Sequence, residues 1–262
     1  MPHATINGQT LRYDDSGGSG PVVLFSHGFL MDRTMFDAQR DALAPRYRVI
    51  AWDQRGFGDT RYDGQPFTYW DSARDALALL DHLGIDRAVF AGMSQGGYLS
   101  LRAALLAPQR VRALVLIDTQ ADAEHADKRE VYRAMLQGWI DHGLSDEVAQ
   151  VIAQIIIDDP AHNDAWIARW KAYAPASQLL APMNCLLDRD DVVDRLSEIH
   201  QPALVIHGSR DTAIGFDRAE LLSRRLGDSR GLIRVDGAAH AANLTHPAIV
   251  NPPLRAFLDA LP

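Results

Sequence analysis

The sequence of 262 residues is poor in cysteine and has no long apolar run. Its one cysteine, Cys185, excludes a disulfide within the chain and fits a reducing compartment. No apolar stretch approaches the roughly 18 residues that a membrane-spanning helix needs. The first ten residues lack the apolar core of a secretory signal peptide. We therefore expect a cytoplasmic protein with no membrane attachment.

Runs of positive charge and metal-ligand patterns are missing as well. The formal net charge is -8, and Lys and Arg do not cluster as binding to nucleic-acid phosphates requires. The ten histidines show no spacing of the H-x-x-x-H type beside an acidic residue. The sequence thus predicts no nucleic-acid partner, no metal and no organic cofactor.

What is present is a globular composition with a strand and helix rhythm. Hydrophobic residues make up 47% of the chain and charged residues 23%, which is typical of a water-soluble domain. Short apolar runs alternate with segments of helical periodicity, which predicts an α/β fold with a mostly parallel sheet covered by helices on both faces. Between residues 119 and 199 the rhythm changes to helical segments alone. We therefore predict a core domain formed by residues 1–118 and 200–262, with residues 119–199 inserted as a helical cap.

A glycine-flanked serine follows one of the predicted buried strands. The apolar run that starts at Ala88 leads into Gly92-Met93-Ser94-Gln95-Gly96, and a predicted helix starts at once after it. This G-x-S-x-G pattern between a strand and a helix is typical of a nucleophile elbow, in which a sharp turn exposes a serine hydroxyl to a base. Glycines on both sides let the strand and the helix pass closely.

Three further polar sites follow predicted strands. His27-Gly28-Phe29 comes after an early strand, Asp211 after the strand Ala203–His207, and His240 after the strand Gly231–Val235. Because ligands of open parallel sheets bind at the carboxyl ends of the strands, these residues are expected to lie near Ser94. The sequence therefore presents Ser, Asp and His in this order at one edge of the sheet.

With these motifs the chain resembles the α/β-hydrolases, in particular their lidded esterase and lactonase branch. The resemblance implies a nucleophile at Ser94, a general base at His240 and an orienting acid at Asp211. It also implies an oxyanion hole formed by the backbone N–H groups of Phe29 and Gln95. His246 is an alternative base and Asp118, at the end of a strand, an alternative acid.

The function implied is a serine hydrolase that cleaves a carboxylic ester or lactone through an acyl-enzyme. Two alternatives stay open: hydrolysis of a carbon–carbon bond in a ring-cleavage product, and a ligand sensor that keeps the hydrolase fold with little turnover. A small apolar ester or lactone is the expected partner. Candidate contacts to it are Met31, Trp139, Trp166, Trp170 and Met183, together with Met135 and Tyr173. The alternative for each of these cap residues is a place in the core of the cap.

Overall fold

A computed structural model describes residues 2–44, 46–173 and 175–262, and its centre is a sheet of eight strands. In space the strands follow the order β1-β2-β4-β3-β5-β6-β7-β8, and all neighbours from β4 to β8 are parallel, whereas β1 and β2 are antiparallel. The bounds are β1 His3–Ile6, β2 Gln9–Asp15, β3 Val22–Ser26, β4 Arg48–Trp52, β5 Ala88–Met93, β6 Val111–Ile117, β7 Ala203–Gly208 and β8 Ser229–Val235.

Ten α-helices accompany the sheet within the described residues. Their bounds are α1 Asp37–Leu43, α2 Tyr69–His82, α3 Gln95–Leu106, α4 Ala126–His142, α5 Asp146–Ile156, α6 Pro160–Lys171, α7 Leu180–Leu187, α8 Phe216–Arg225, α9 Ala242–Thr245 and α10 Pro247–Asp259. In this part of the chain, no helix has both the length and the apolar character that crossing a bilayer demands.

The alternation of side chains along the strands builds two hydrophobic cores, one on each face of the sheet. In β5, Val89 and Ala91 belong to one core and Phe90 to the other, because successive strand residues point to opposite faces. Helices α1 and α10 cover the first face, and α2, α3 and α8 cover the second. The predicted fold class, a mostly parallel α/β sheet with helices on both faces, is confirmed.

Local sequence signals explain several element boundaries. Asn7 and Gly8 both have positive φ, 48° and 81°, as the tight turn between β1 and β2 requires. Helix α2 starts with a capping box in which Thr68 and Asp71 satisfy each other's backbone N–H groups. These signals are local, and so the sequence predicted the hairpin and the helix.

Four helices, α4 to α7, are inserted between β6 and β7. The described residues of 119–199 contain no strand, as expected from the sequence. Helix α6 starts at Pro160, three residues before the expected start, with Asp159 as its N-cap. Proline suits the first helical position because the N–H that it lacks has no acceptor there. The division of the chain into a core domain and a cap domain stays a prediction.

The last helix also starts earlier than the sequence indicated. We expected a start at Asn251-Pro252, but α10 begins at Pro247 and continues through Pro252 and Pro253. These prolines cannot donate to the carbonyls of the residues four positions earlier, Ala248 and Ile249. Both residues are exposed, so water can satisfy their carbonyls and the helix continues.

Candidate active site

Ser94 occupies a strained turn between β5 and α3. Its backbone has φ 51° and ψ -116°, a conformation that non-glycine residues rarely adopt. A side chain at Gly92 would overlap the backbone of Gly96, and one at Gly96 would overlap the carbonyl of Ser26. Only glycine fits at these two positions, so the motif permits the close crossing of strand and helix that turns Ser94 outward.

His240 and Asp211 form a direct hydrogen-bonded pair. The Nδ1 atom of His240 lies 2.7 Å from Oδ2 of Asp211, and Oδ1 of Asp211 accepts the backbone N–H of Ile214 at 2.9 Å. Burial raises the pKa of Asp211, but the charge of His240 and hydrogen bonds from His207 and His240 outweigh burial and hold this pKa below its usual range. The carboxylate is therefore ionised and can orient the His240 ring.

Ser94 and His240 line the same cavity. Eleven of its lining residues are apolar, and most of these come from the inserted helices α4, α5 and α7 and from the loops after β3 and β7. The apolar set is Phe29, Leu30, Met93, Met135, Leu136, Ile152, Ile155, Ile156, Leu186, Ala213 and Ile214. The polar lining consists of Ser94, Tyr98, Glu124, Tyr132 and His240.

The residues expected to form the oxyanion hole lie beside the serine. Gln95 is the first residue of α3, so its backbone N–H has no acceptor within the helix. Phe29 lies in the loop after β3 and lines the cavity with Ser94. This loop comes close to the serine turn because a side chain at Gly28 would overlap the sulfur of Met93. The next residue, Leu30, has a positive φ of 62°.

A family model described as the alpha/beta hydrolase fold matches residues 21–247 of this sequence. The chain belongs to the α/β-hydrolase family. A protein of Azorhizobium caulinodans named as the carbamate hydrolase RutD is 30% identical and covers 98% of both chains. The 3-oxoadipate enol-lactonase 1 of Acinetobacter baylyi is 27% identical over 92% of this chain and 90% of its own. The structure of a thermophilic esterase from Thermogutta terrifontis is 26% identical, with a TM-score of 0.88 over 99% of this chain and 98% of that one.

In this α/β-hydrolase, most of the residues expected to contact substrate are not among those that line the cavity. Of that set, Met135 lines the cavity, whereas Met31, Trp139, Trp166, Trp170 and Met183 are buried in the hydrophobic core. Large aromatic side chains gain most from full burial, and here they join the inserted helices to the rest of the molecule. Trp170 shows this directly, because its Nε1–H donates to the carbonyl of Leu30 at 2.7 Å.

The alternative acid, Asp118, contacts backbone rather than an imidazole at hydrogen-bond distance. Its Oδ1 accepts the N–H of Gly208 at 2.7 Å and its Oδ2 accepts the N–H of Ala242 at 2.9 Å. Asp118 therefore joins the end of β7 to the segment that follows His240. Burial raises the pKa of Asp118 to about 7.

A second imidazole, His207, lies between the two aspartates and was not singled out in the sequence. Its Nε2 is 2.9 Å from the carbonyl of Ile214 and 3.3 Å from Oδ2 of Asp211, and its Nδ1 is 3.9 Å from Asp118. Burial lowers the pKa of His207, but the two carboxylates outweigh this effect and raise it to about 9. Its position four residues before Asp211, at the end of a strand, was the available signal.

The three side chains Asp118, His207 and Asp211 approach the spacing of a metal site. Their oxygen atoms and Nε2 of His207 are already engaged by Gly208, Ala242, Ile214 and His240, whereas Nδ1 of His207 has no hydrogen-bond partner among the described residues. We therefore interpret the cluster as a buried hydrogen-bond network. The pocket residues Tyr98, Tyr132 and Glu124 were also absent from the sequence prediction, because their meeting depends on how the inserted helices dock.

Proposed function

We propose that the protein is a serine hydrolase that cleaves a neutral carboxylic ester or lactone through an acyl-enzyme. Ser94 is the nucleophile, His240 the general base and Asp211 the acid that orients it. The observation that carries this proposal is the His240–Asp211 hydrogen bond at 2.7 Å, next to a serine in an elbow turn on the wall of the same cavity.

The reaction follows from these positions. His240 takes the hydroxyl proton as the Ser94 oxygen attacks the acyl carbon, and the negative charge that develops on the carbonyl oxygen meets the N–H groups of Phe29 and Gln95. His240 then returns the proton to the leaving alkoxide. Water, deprotonated by the same imidazole, attacks the acyl-enzyme, and His240 passes this proton to the Ser94 oxygen as the acyl–oxygen bond breaks and the acid is released. Each oxyanion donor contributes about 3 kcal/mol to transition-state stabilisation in enzymes of this kind.

The apolar lining of the cavity favours a substrate with an apolar acyl or alcohol group. Side chains of Leu136, Ile152 and Ile156 line it, and a hydrocarbon chain placed against them would leave water. Each buried methylene contributes roughly 0.8 kcal/mol. A lactone presents the same acyl carbon as an open ester and is attacked in the same way. Kinship with proteins named as hydrolases, an enol-lactonase and an esterase supports this reaction class.

The test is the Ser94→Ala variant assayed with p-nitrophenyl hexanoate. We expect turnover to fall by a factor of about 10⁴ or more, with an unchanged circular dichroism spectrum. Ser197→Ala, which removes an exposed serine hydroxyl, is the matched control and should retain full activity. Turnover unchanged by Ser94→Ala would refute the proposal.

Turnover also separates the alternatives. Many catalytic cycles on simple esters favour the esterase or lactonase. Cleavage of a dienoic ring-cleavage product with little activity on esters would favour the carbon–carbon hydrolase. A single slow event per molecule would favour the sensor.

A further inference from the structure

The cavity wall carries a negative charge with no matching positive charge on the same surface. Among the described residues that line the cavity, Glu124 is the one acidic side chain, and none is Lys or Arg. Glu124 belongs to the segment between β6 and α4, and its side chain is only 10% exposed. A substrate in the cavity would therefore lie against this carboxylate.

The cation that balances Glu124 is placed behind the wall. The Nη2 atom of Arg189 lies 3.3 Å from Oε2 of Glu124, while the Arg189 side chain is 1% exposed. Two further N–H groups of Arg189 donate to the carbonyls of Asp122 at 3.1 Å and Leu186 at 2.8 Å. The guanidinium also stacks on the Tyr98 ring, 4.6 Å from the ring centre. Arg189 thus pairs with Glu124 from behind the wall and is not itself among the residues that line the cavity.

The two phenols of the cavity are neutral in this field. Burial raises the pKa of Tyr98 to about 12, and the Glu124 charge acts in the same direction against Arg189. Burial, followed by the charges of Glu124 and Asp211, raises the pKa of Tyr132. The polar part of the wall therefore consists of one carboxylate and two hydroxyl groups.

These contacts determine whether a neutral or a charged molecule can bind in the cavity. A free carboxylate would lose its hydration, find no cation and approach Glu124, and each of these effects opposes binding. The hydrocarbon end of a neutral substrate loses little hydration free energy on entering the cavity. A hydroxyl or amide N–H on the substrate can donate to the Glu124 oxygens.

We propose that Glu124 determines specificity by charge: the site accepts uncharged esters or lactones, including those with a hydrogen-bond donor, and rejects those with a free carboxylate. This inference rests on the proposed function and adds the substrate class to it. Specificity of this kind is a difference in transition-state binding, which a change of one charge alters directly.

Two esters of equal length test the proposal. The p-nitrophenyl ester of hexanoic acid ends in a methyl group, whereas the mono-p-nitrophenyl ester of adipic acid ends in a carboxylate, and both release the same phenolate. We expect wild-type kcat/KM to favour the hexanoate by about 100-fold or more, as for a charge buried without a partner.

In Glu124→Gln, whose amide oxygen can still accept from Arg189, this preference should shrink about tenfold, because kcat/KM for the carboxylate ester rises relative to that for the hexanoate. Glu130→Gln removes an equal charge from an exposed position on α4 and should keep the wild-type ratio. A wild-type ratio near one, or a ratio unchanged in Glu124→Gln, would overturn the inference. An equal change in Glu130→Gln would overturn it too.

Binding gives the same comparison without turnover. Methyl hexanoate and monomethyl adipate can be titrated calorimetrically into Ser94→Ala, with and without Glu124→Gln. If Ser94→Ala binds the neutral ester more tightly and this preference weakens in the double variant, the charge selection is supported even if no ester is cleaved. Absence of cleavage by the wild type would refute the proposed function alone. Equal binding of the two esters would refute the charge selection while the hydrolase function stands.

Discussion

The imidazole of His207 contacts the carboxylate oxygen of Asp211 that Ile214 N–H does not, with Nε2 3.3 Å from Oδ2. That same oxygen receives Nδ1 of His240 at 2.7 Å, so two imidazoles share one carboxylate oxygen. Both His207 and Asp211 are buried at their polar ends. A protonated His207 would therefore stabilise the ionised form of Asp211 and reinforce the proposed role of Asp211 in orienting His240.

His207 should make the stability of the protein depend on pH in the alkaline range. Its pKa is raised to about 9, so the stabilisation is complete below about pH 6.5 and is lost as the pH rises through 9. Asp118, with a pKa of about 7, and Asp211, with a lowered pKa, are already ionised over most of this window. We expect the free energy of unfolding to fall by roughly 2 kcal/mol between pH 7 and 10 from this group.

Urea denaturation of wild type and His207→Gln at both pH values measures this loss. Glutamine does not titrate, so the variant should be less stable at pH 7 and should lose less stability on going to pH 10. His200→Gln, at an exposed imidazole, is the control and should follow wild type. Parallel pH profiles of wild type and His207→Gln would show that His207 is neutral in the folded protein.

Asp211→Asn and Asp118→Asn should separate the two buried acids. Asp211→Asn removes the charge that orients His240, and we expect kcat for p-nitrophenyl hexanoate to fall by about 10³-fold or more. Asp118→Asn places an amide donor against the N–H of Gly208 or Ala242, so it should mainly lower stability, with a smaller loss of kcat. Steady-state kinetics with urea denaturation checks both, and a larger kcat loss in Asp118→Asn would assign the orienting role to Asp118.

Trp170→Phe tests whether this side chain positions the loop that carries Phe29. The variant loses the 2.7 Å hydrogen bond to the Leu30 carbonyl, in a residue held at positive φ. We expect kcat to fall about tenfold with little change in KM, because an N–H aimed at the oxyanion acts in the transition state. Trp166→Phe, on the same helix, is the control and should retain kcat. A rise in KM at constant kcat would instead support the sequence prediction of substrate contact.

Ile152→Phe should shorten the acyl chain that the site prefers. Ile152 lines the cavity from α5, and a larger ring would fill part of the space. We expect kcat/KM for p-nitrophenyl octanoate to fall about tenfold relative to p-nitrophenyl acetate, the range for a few lost methylene contacts. Val151→Phe, on the exposed face of the same helix, is the matched control. An unchanged ratio would show that the chain binds elsewhere in the cavity.

The turn at Ser94 and the placement of Asp211 and His240 directly after strands could be predicted, because the sequence signals for them are local. The apolar run before Ser94 and its two flanking glycines specify a strand, a turn and a helix in a few residues. Asp211 and His240 follow strands directly, so a parallel sheet brings them to one edge. Whether Trp139 and Trp170 face the cavity or the hydrophobic core could not be predicted in this way. A tryptophan on an inserted helix has the same local pattern whether it faces a cavity or a core.

The sequence by itself determined the α/β alternation, the family motif and the order of serine, acid and histidine, because strand and turn preferences act over neighbouring residues. Tertiary structure decided the rest. Only the docking of the inserted helices puts Glu124 on the cavity wall with Arg189 behind it. Those relationships depend on contacts between residues up to 65 positions apart, which no local pattern specifies.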